Sequence, residues 1–71
     1  MSTEKAMQKN IKQLMIAYRM KPKDLAESMR MPRNKVYRWI SGSTTPCLQE
    51  AAELADLFGV SIDYLCGRVK T

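Results

Sequence analysis

The chain has 71 residues, a mass of 8.1 kDa and a formal net charge of +5, with 45% hydrophobic and 27% charged residues. So short a chain buries only about 60% of its unfolded surface, so it reads as one domain over residues 1–71 and disfavours an enzyme that encloses its substrate in a large core. It has no window of about 18 apolar residues, and a mixed polar stretch follows Met1, so neither a spanning helix nor a signal peptide is expected and the chain reads as cytoplasmic.

In chain order, five helices and no strand are expected, because no segment alternates with period two. The first covers about residues 4–18, where Met7, Ile11, Leu14, Met15 and Tyr18 recur at offsets of 4, 7, 8 and 11 as one apolar stripe. Lys5, Lys9, Lys12 and Gln13 fall on its other face. The second opens at Pro22, which a first helical turn tolerates, and turns Leu25, Ala26 and Met29 inward. It stops by Met31, since the residue before Pro32 is pushed out of helical geometry. The third covers about residues 33–40, and Gly42 supplies a left-handed stop. Thr45 as hydroxyl cap and Pro46 in the first turn signal a fourth helix over 46–58. Its inner stripe is Leu48, Ala51, Ala52, Ala55 and Phe58, and Gly59 ends it. Ser61 caps a short fifth helix over 61–66, with Asp63 near its positive end and Ile62 and Leu65 turned inward.

Charge divides unevenly along these elements. Residues 1–40 carry ten Lys/Arg against three Asp/Glu, and residues 41–71 carry two against four, so a +7 half precedes a −2 half. An excess of this kind suits a polyanionic partner. There is no histidine, which removes histidine triads, histidine-ligated zinc and a histidine base. Cys47 and Cys66 stand 19 positions apart, without the close pairs of zinc or redox motifs, and read as reduced and packed. Glu50 and Glu53 lie one turn apart where a helix start favours acids for dipole reasons alone. Gly42, Ser43 and Thr44 lack the glycine pattern and lysine of a phosphate loop. No cofactor, metal, membrane or small-molecule substrate is implied.

Two short helices joined by a three- or four-residue turn make the arrangement that reads DNA, the second helix lying in the major groove and the first crossing the backbone. Residues 22–41 fit it. Asp24, Leu25 and Ala26, then Val36 and Trp39, then Gly42, Pro46 and Leu48, occur in the order seen in phage repressor and Cro-type helix-turn-helix proteins. The closing segment, from Leu54 and Ala55 through Phe58 to Arg68, also looks very like that family's. The chain therefore resembles the XRE family over nearly its whole length, which implies an all-α five-helix bundle with a helix-turn-helix in helices 2 and 3. Leu25, Ala26, Val36 and Trp39 are the expected core of the motif, with Ala26 allowing close approach and Trp39 read as core rather than as a stacking platform.

Three residues depart from the family pattern. Arg30 stands where the turn usually has glycine, so the turn either takes a positive φ at a cost or adopts another shape. Pro22 stands where a glutamine commonly opens the motif, and Pro32 where Ser or Thr caps the reading helix.

At 100° per residue, Val36, Trp39 and Ile40 face one side of the third helix and Asn34, Arg38 and Ser41 the other, flanked by Lys35 and Tyr37. Arg grips guanine O6 and N7 with two bonds, Asn does the same at adenine N6 and N7, and Lys suits phosphate. The resemblance implies base contacts from Arg33, Asn34, Tyr37 and Arg38. Lys21, Lys23 and Lys35 are the candidate phosphate ligands, with Ser41, Ser43 and Thr44, whose loop is expected to offer hydroxyls and free amides.

The leading expectation is a sequence-specific DNA-binding transcriptional regulator on double-stranded DNA. Such a small module needs a homodimer on half-sites about 34–36 Å apart for useful affinity, and Ile62, Tyr64, Leu65 and Val69 form the candidate dimer surface. The alternative is a small antirepressor whose protein partner is a repressor; an antitoxin that binds both DNA and a partner is a variant of the two.

Overall fold

A helix leaves its last four carbonyls without intrahelical partners, so a chain built of short helices must satisfy many of them from elsewhere. The computed structural model describes residues 3–68 and contains α1 (Thr3–Ala17), α2 (Pro22–Met29), α3 (Arg33–Ser41), α4 (Leu48–Phe58) and α5 (Ile62–Leu65), with no strand among the described residues. Side chains from α1 and the residue after it reach three of the other helix ends. Gln8 Nε2 donates to the Ile40 carbonyl at 2.7 Å, and Asn10 Nδ2 donates to the Tyr64 and Leu65 carbonyls at 3.0 and 3.1 Å. Tyr18 Oη donates to the Phe58 carbonyl at 2.7 Å.

The core lies beneath these contacts. Met7, Ile11 and Met15 of α1 meet Leu25 and Ala26 of α2, Val36 and Trp39 of α3, Ala51, Leu54 and Phe58 of α4, and Leu65 of α5. Trp39, at 1% exposure, is the largest fully buried side chain. It therefore pins α3 from below, as expected of a core residue. Ala26 is 2% exposed, which leaves α2 and α3 in close contact.

The turn between α2 and α3 takes the strained option. Arg30 adopts φ 56° and ψ 49°, the left-handed region, while its N–H reaches the Glu27 carbonyl and the Met31 N–H closes on Ala26 at 3.0 Å. Arg19 ends α1 in the same conformation at φ 54°, which the sequence did not signal. Gly42 takes φ 84° and has a second reason to be glycine, because a Cβ there would meet the Gln8 amide at 3.0 Å.

Several boundaries differ from expectation. Helix α4 starts at Leu48 rather than at Pro46, and its cap is Cys47, whose N–H donates to Glu50 Oε1 at 3.0 Å. Thr45 is thus not the cap. Pro46 is buried ahead of the helix, Leu48 projects outward at 77% exposure instead of joining the inner stripe, and Leu54 is fully buried. Cys47 is exposed rather than packed, and Cys66 is half-buried; both are free thiols. Tyr18 lies past the end of α1, half-exposed, with its ring edge-on to Phe58 at 5.5 Å. Of the candidate dimer residues, Leu65 is fully buried and closes the core, Ile62 and Tyr64 are half-buried, and Val69 lies outside the described residues. Ser61 caps α5 as expected, accepting from the Tyr64 N–H at 3.0 Å.

Two substitutions test this packing. Arg30→Gly removes a side chain from the left-handed region, where an L-residue costs about 1–2 kcal/mol, and net of the extra chain entropy it should raise stability by up to about 1 kcal/mol. Ala26→Leu overpacks the α2 and α3 contact and should lower stability by about 1–3 kcal/mol. Denaturant midpoints measure both, and an unshifted midpoint for Ala26→Leu would mean that the helices have room to spare.

Candidate nucleic-acid interface

Helix α3 is amphipathic. Val36 and Trp39 are buried, whereas Arg33, Asn34, Lys35, Tyr37, Arg38 and Ser41 are exposed. The four base-reading candidates therefore share the outer surface of one helix whose inner side is locked into the core. An α-helix with its side chains is about 10–12 Å across, which fits a major groove about 12 Å wide, and nine residues give a rod of about 14 Å to lie in it. No side chain caps the start of α3, since Pro32 has no side-chain acceptor, and the Lys35 N–H closes on the Pro32 carbonyl at 3.1 Å.

One flank of α3 is a groove lined by Asn34, Lys35, Arg38, Thr44 and Thr45 over Pro32 and Trp39. Thr45, expected as the cap of the fourth helix, does not cap it. Here it joins Thr44 beside the exposed face of α3, a position that becomes visible only once α4 is known to start later.

The loop after α3 does not present free amides. Gly42 N–H reaches the Trp39 carbonyl, and the Ser43 and Thr44 N–H groups converge on the Arg38 carbonyl at 2.9 and 3.3 Å. The Ser41 hydroxyl lies 3.2 Å from the same carbonyl and 3.0 Å from Ser43 Oγ. The cause is the left-handed stop at Gly42, which folds the loop back over the helix end so that its donors satisfy orphan carbonyls.

Lys35 forms an ion pair with Glu50 of α4, so its charge is partly spent within the protein. The Glu50 hydrogen bond and charge hold the Lys35 ammonium pKa above its usual value. At Glu50, partial burial pushes the carboxyl pKa up but is outweighed by the hydrogen bond from Lys35, the Cys47 N–H and thiol, and the Lys35 charge, so the net shift is downward. Lys21 and Lys23 are exposed at the start of α2. The Lys21 N–H is occupied, donating to Asp24 Oδ2 at 3.0 Å. No cluster of three or more His, Cys, Asp or Glu able to hold a metal occurs among the described residues. Within the same residues no helix is long and apolar enough to cross a membrane.

Among known proteins, residues 11–65 match the family model described as helix-turn-helix, a span running from within α1 to the end of α5. No curated protein and no solved structure matches the chain.

The ion pair carries a pH signature. A carboxylate held below its ordinary value of 4.5 stabilises the fold above that value, and the contribution disappears as pH falls through the lowered one. Lys35, raised from 10.5, contributes below that value and loses its share as pH rises through the raised one. Between about pH 7 and pH 3 the parent chain should therefore lose more melting temperature than Glu50→Gln, which keeps a side chain able to reach back to the cap. Thermal melts across that range decide it, and parallel curves would mean that the pair contributes nothing to folding.

Proposed function

Because the chain belongs to the XRE-type helix-turn-helix family of DNA-binding regulators, we propose that it is a Cro- or repressor-like transcriptional regulator that reads operator DNA with α3 in the major groove. One observation carries this reading: Arg33, Asn34, Tyr37 and Arg38 are exposed on a helix whose opposite side, Val36 and Trp39, is buried in the core. A helix held in that way presents its outer side chains in fixed register, which direct readout of base edges requires. Arg38 suits guanine and Asn34 suits adenine, each through two hydrogen bonds. Tyr37, 52% exposed, offers a ring to a thymine methyl and a hydroxyl to a phosphate.

Phosphate contacts in this reading come from Lys21 and Lys23 on one side of α3 and from the hydroxyls of Thr44 and Thr45 on the other. Ser41 and Ser43 act through a shared hydroxyl pair, and Lys35 contributes in competition with Glu50. Two copies on half-sites about 34–36 Å apart would supply the affinity that a single small module lacks.

Titration of the purified chain against a randomised duplex pool at about 50 and 200 mM salt, with sequencing of the bound fraction, tests the proposal. A two-fold symmetric enriched site with steep salt dependence is expected. Binding without enrichment would overturn operator reading and turn the search to a repressor as protein partner. Arg38→Ala should weaken binding to the enriched site by about 1–3 kcal/mol and relax preference at one base position; an unchanged profile would remove Arg38 from the reading set.

A further inference from the structure

We propose that Lys9 and Lys12 of α1 form a second contact with the DNA sugar-phosphate backbone, beside the one that Lys21 and Lys23 make at the start of α2, where backbone amides are not on offer. The inference rests on the DNA-binding reading above and adds to it a surface on an element outside the helix-turn-helix.

At the start of α2, Pro22 has no N–H to offer, and the Lys21 N–H is held by the Asp24 carboxylate at 3.0 Å. That carboxylate also places negative charge where a phosphate would approach. The positive end of the α2 dipole is thus already answered from within the chain. A backbone passing this corner meets only the side chains of Lys21 and Lys23, and any further cation must come from another element.

Helix α1 supplies it. Lys12 lines a shallow groove with Met15, Ile16, Met20, Pro22 and Ile40, so it sits at the corner where α1 meets the start of α2 and the end of α3. The apolar floor accommodates the methylene stem while the ammonium stays in water at the rim. Lys9 shares an adjoining groove with Lys12, Gln13 and Ile16. Lys9 and Lys12 are three residues apart on one helical face, a rise of about 4.5 Å, and their flexible four-carbon stems let both ammonium groups approach one phosphate strand. Lys5 and Ile16 extend the same stripe at i, i+4, i+7 and i+11 counted from Lys5.

The side of α3 on which this corner lies sharpens the argument. At 100° per residue Ile40 falls next to Tyr37, whereas Lys35 falls on the opposite flank, towards Glu50 and the threonine groove. The reading face is therefore bracketed, with hydroxyls on one flank and the α1 lysines on the other. A major groove has a phosphate strand on each side, and charge complementarity assigns the lysine flank to one of them.

The test is the salt dependence of binding to the randomised duplex pool for the parent chain, for Lys9→Gln/Lys12→Gln and for Lys9→Arg/Lys12→Arg. Both positions are exposed and glutamine is a good helix former, so melting temperatures should coincide and folding is not in question. Each lost phosphate contact lowers the slope of log affinity against log salt by about 0.9, so the glutamine pair should lose up to about 1.8 while the arginine pair keeps the parent slope. The enriched sequence should be the same in all three, because phosphate contacts carry no base information. A parent chain that binds with a steep slope, unaltered in the glutamine pair, overturns this inference alone. A parent chain that does not bind the duplex pool overturns the DNA-binding reading itself. A glutamine pair with the parent slope but a changed enriched sequence would assign the lysines to base contacts and also overturn the proposal.

Discussion

Three helix ends in this protein are closed by side chains that come from one helix and the residue after it. The end of α3 is met by Gln8, that of α5 by Asn10 and that of α4 by Tyr18. Helices of nine, four and eleven residues have a large share of their carbonyls in the final turn, where no intrahelical partner exists. Satisfying them from α1 ties elements that are distant in sequence to one rod. No buried side-chain nitrogen or oxygen among the described residues is left without a partner.

This arrangement explains why α3 can be polar on its outer side and still be held firmly. Trp39 and Val36 anchor α3 from beneath, Gln8 holds its last turn, and Lys35 ties its flank to Glu50 at the start of α4. The same economy limits what the neighbouring loop offers. Donors that Gly42, Ser43 and Thr44 would otherwise turn outward are spent on the Arg38 and Trp39 carbonyls. The outer surface therefore depends on side chains more than on backbone amides. Strain is concentrated at Arg19 and Arg30, two arginines in left-handed geometry that end α1 and α2.

Much of the site was legible because it follows helical period and residue chemistry. Buried Val36 and Trp39 fix which side of α3 faces outward, and that alone places Arg33, Asn34, Tyr37 and Arg38 at the surface. The ionic details were not legible. That Lys35 is paired depends on where α4 begins, and the competing start at Thr45 and Pro46 carried the stronger local signal. Proline fits a first helical turn, but here its ring is buried ahead of the helix, and packing overrode the local preference. The roles of Gln8 and Asn10 are hidden for a related reason: a polar residue beside an apolar stripe looks solvated until its distant carbonyl partner is known.

The class of fold, the five helices, the stops at Gly42 and Gly59, the serine cap of α5 and the inner side of α3 are all legible in the residues alone. Each of these depends on residues within about one or two turns, through periodicity, capping and allowed φ. Long-range packing settled that Arg30 accepts a positive φ, that Leu48 is exposed and Pro46 buried, that Cys47 rather than Thr45 heads α4, and that Asn10 closes the end of α5. Those outcomes rest on contacts between residues up to 55 positions apart, as between Asn10 and Leu65, and no local pattern encodes which carbonyl a side chain will meet across the core.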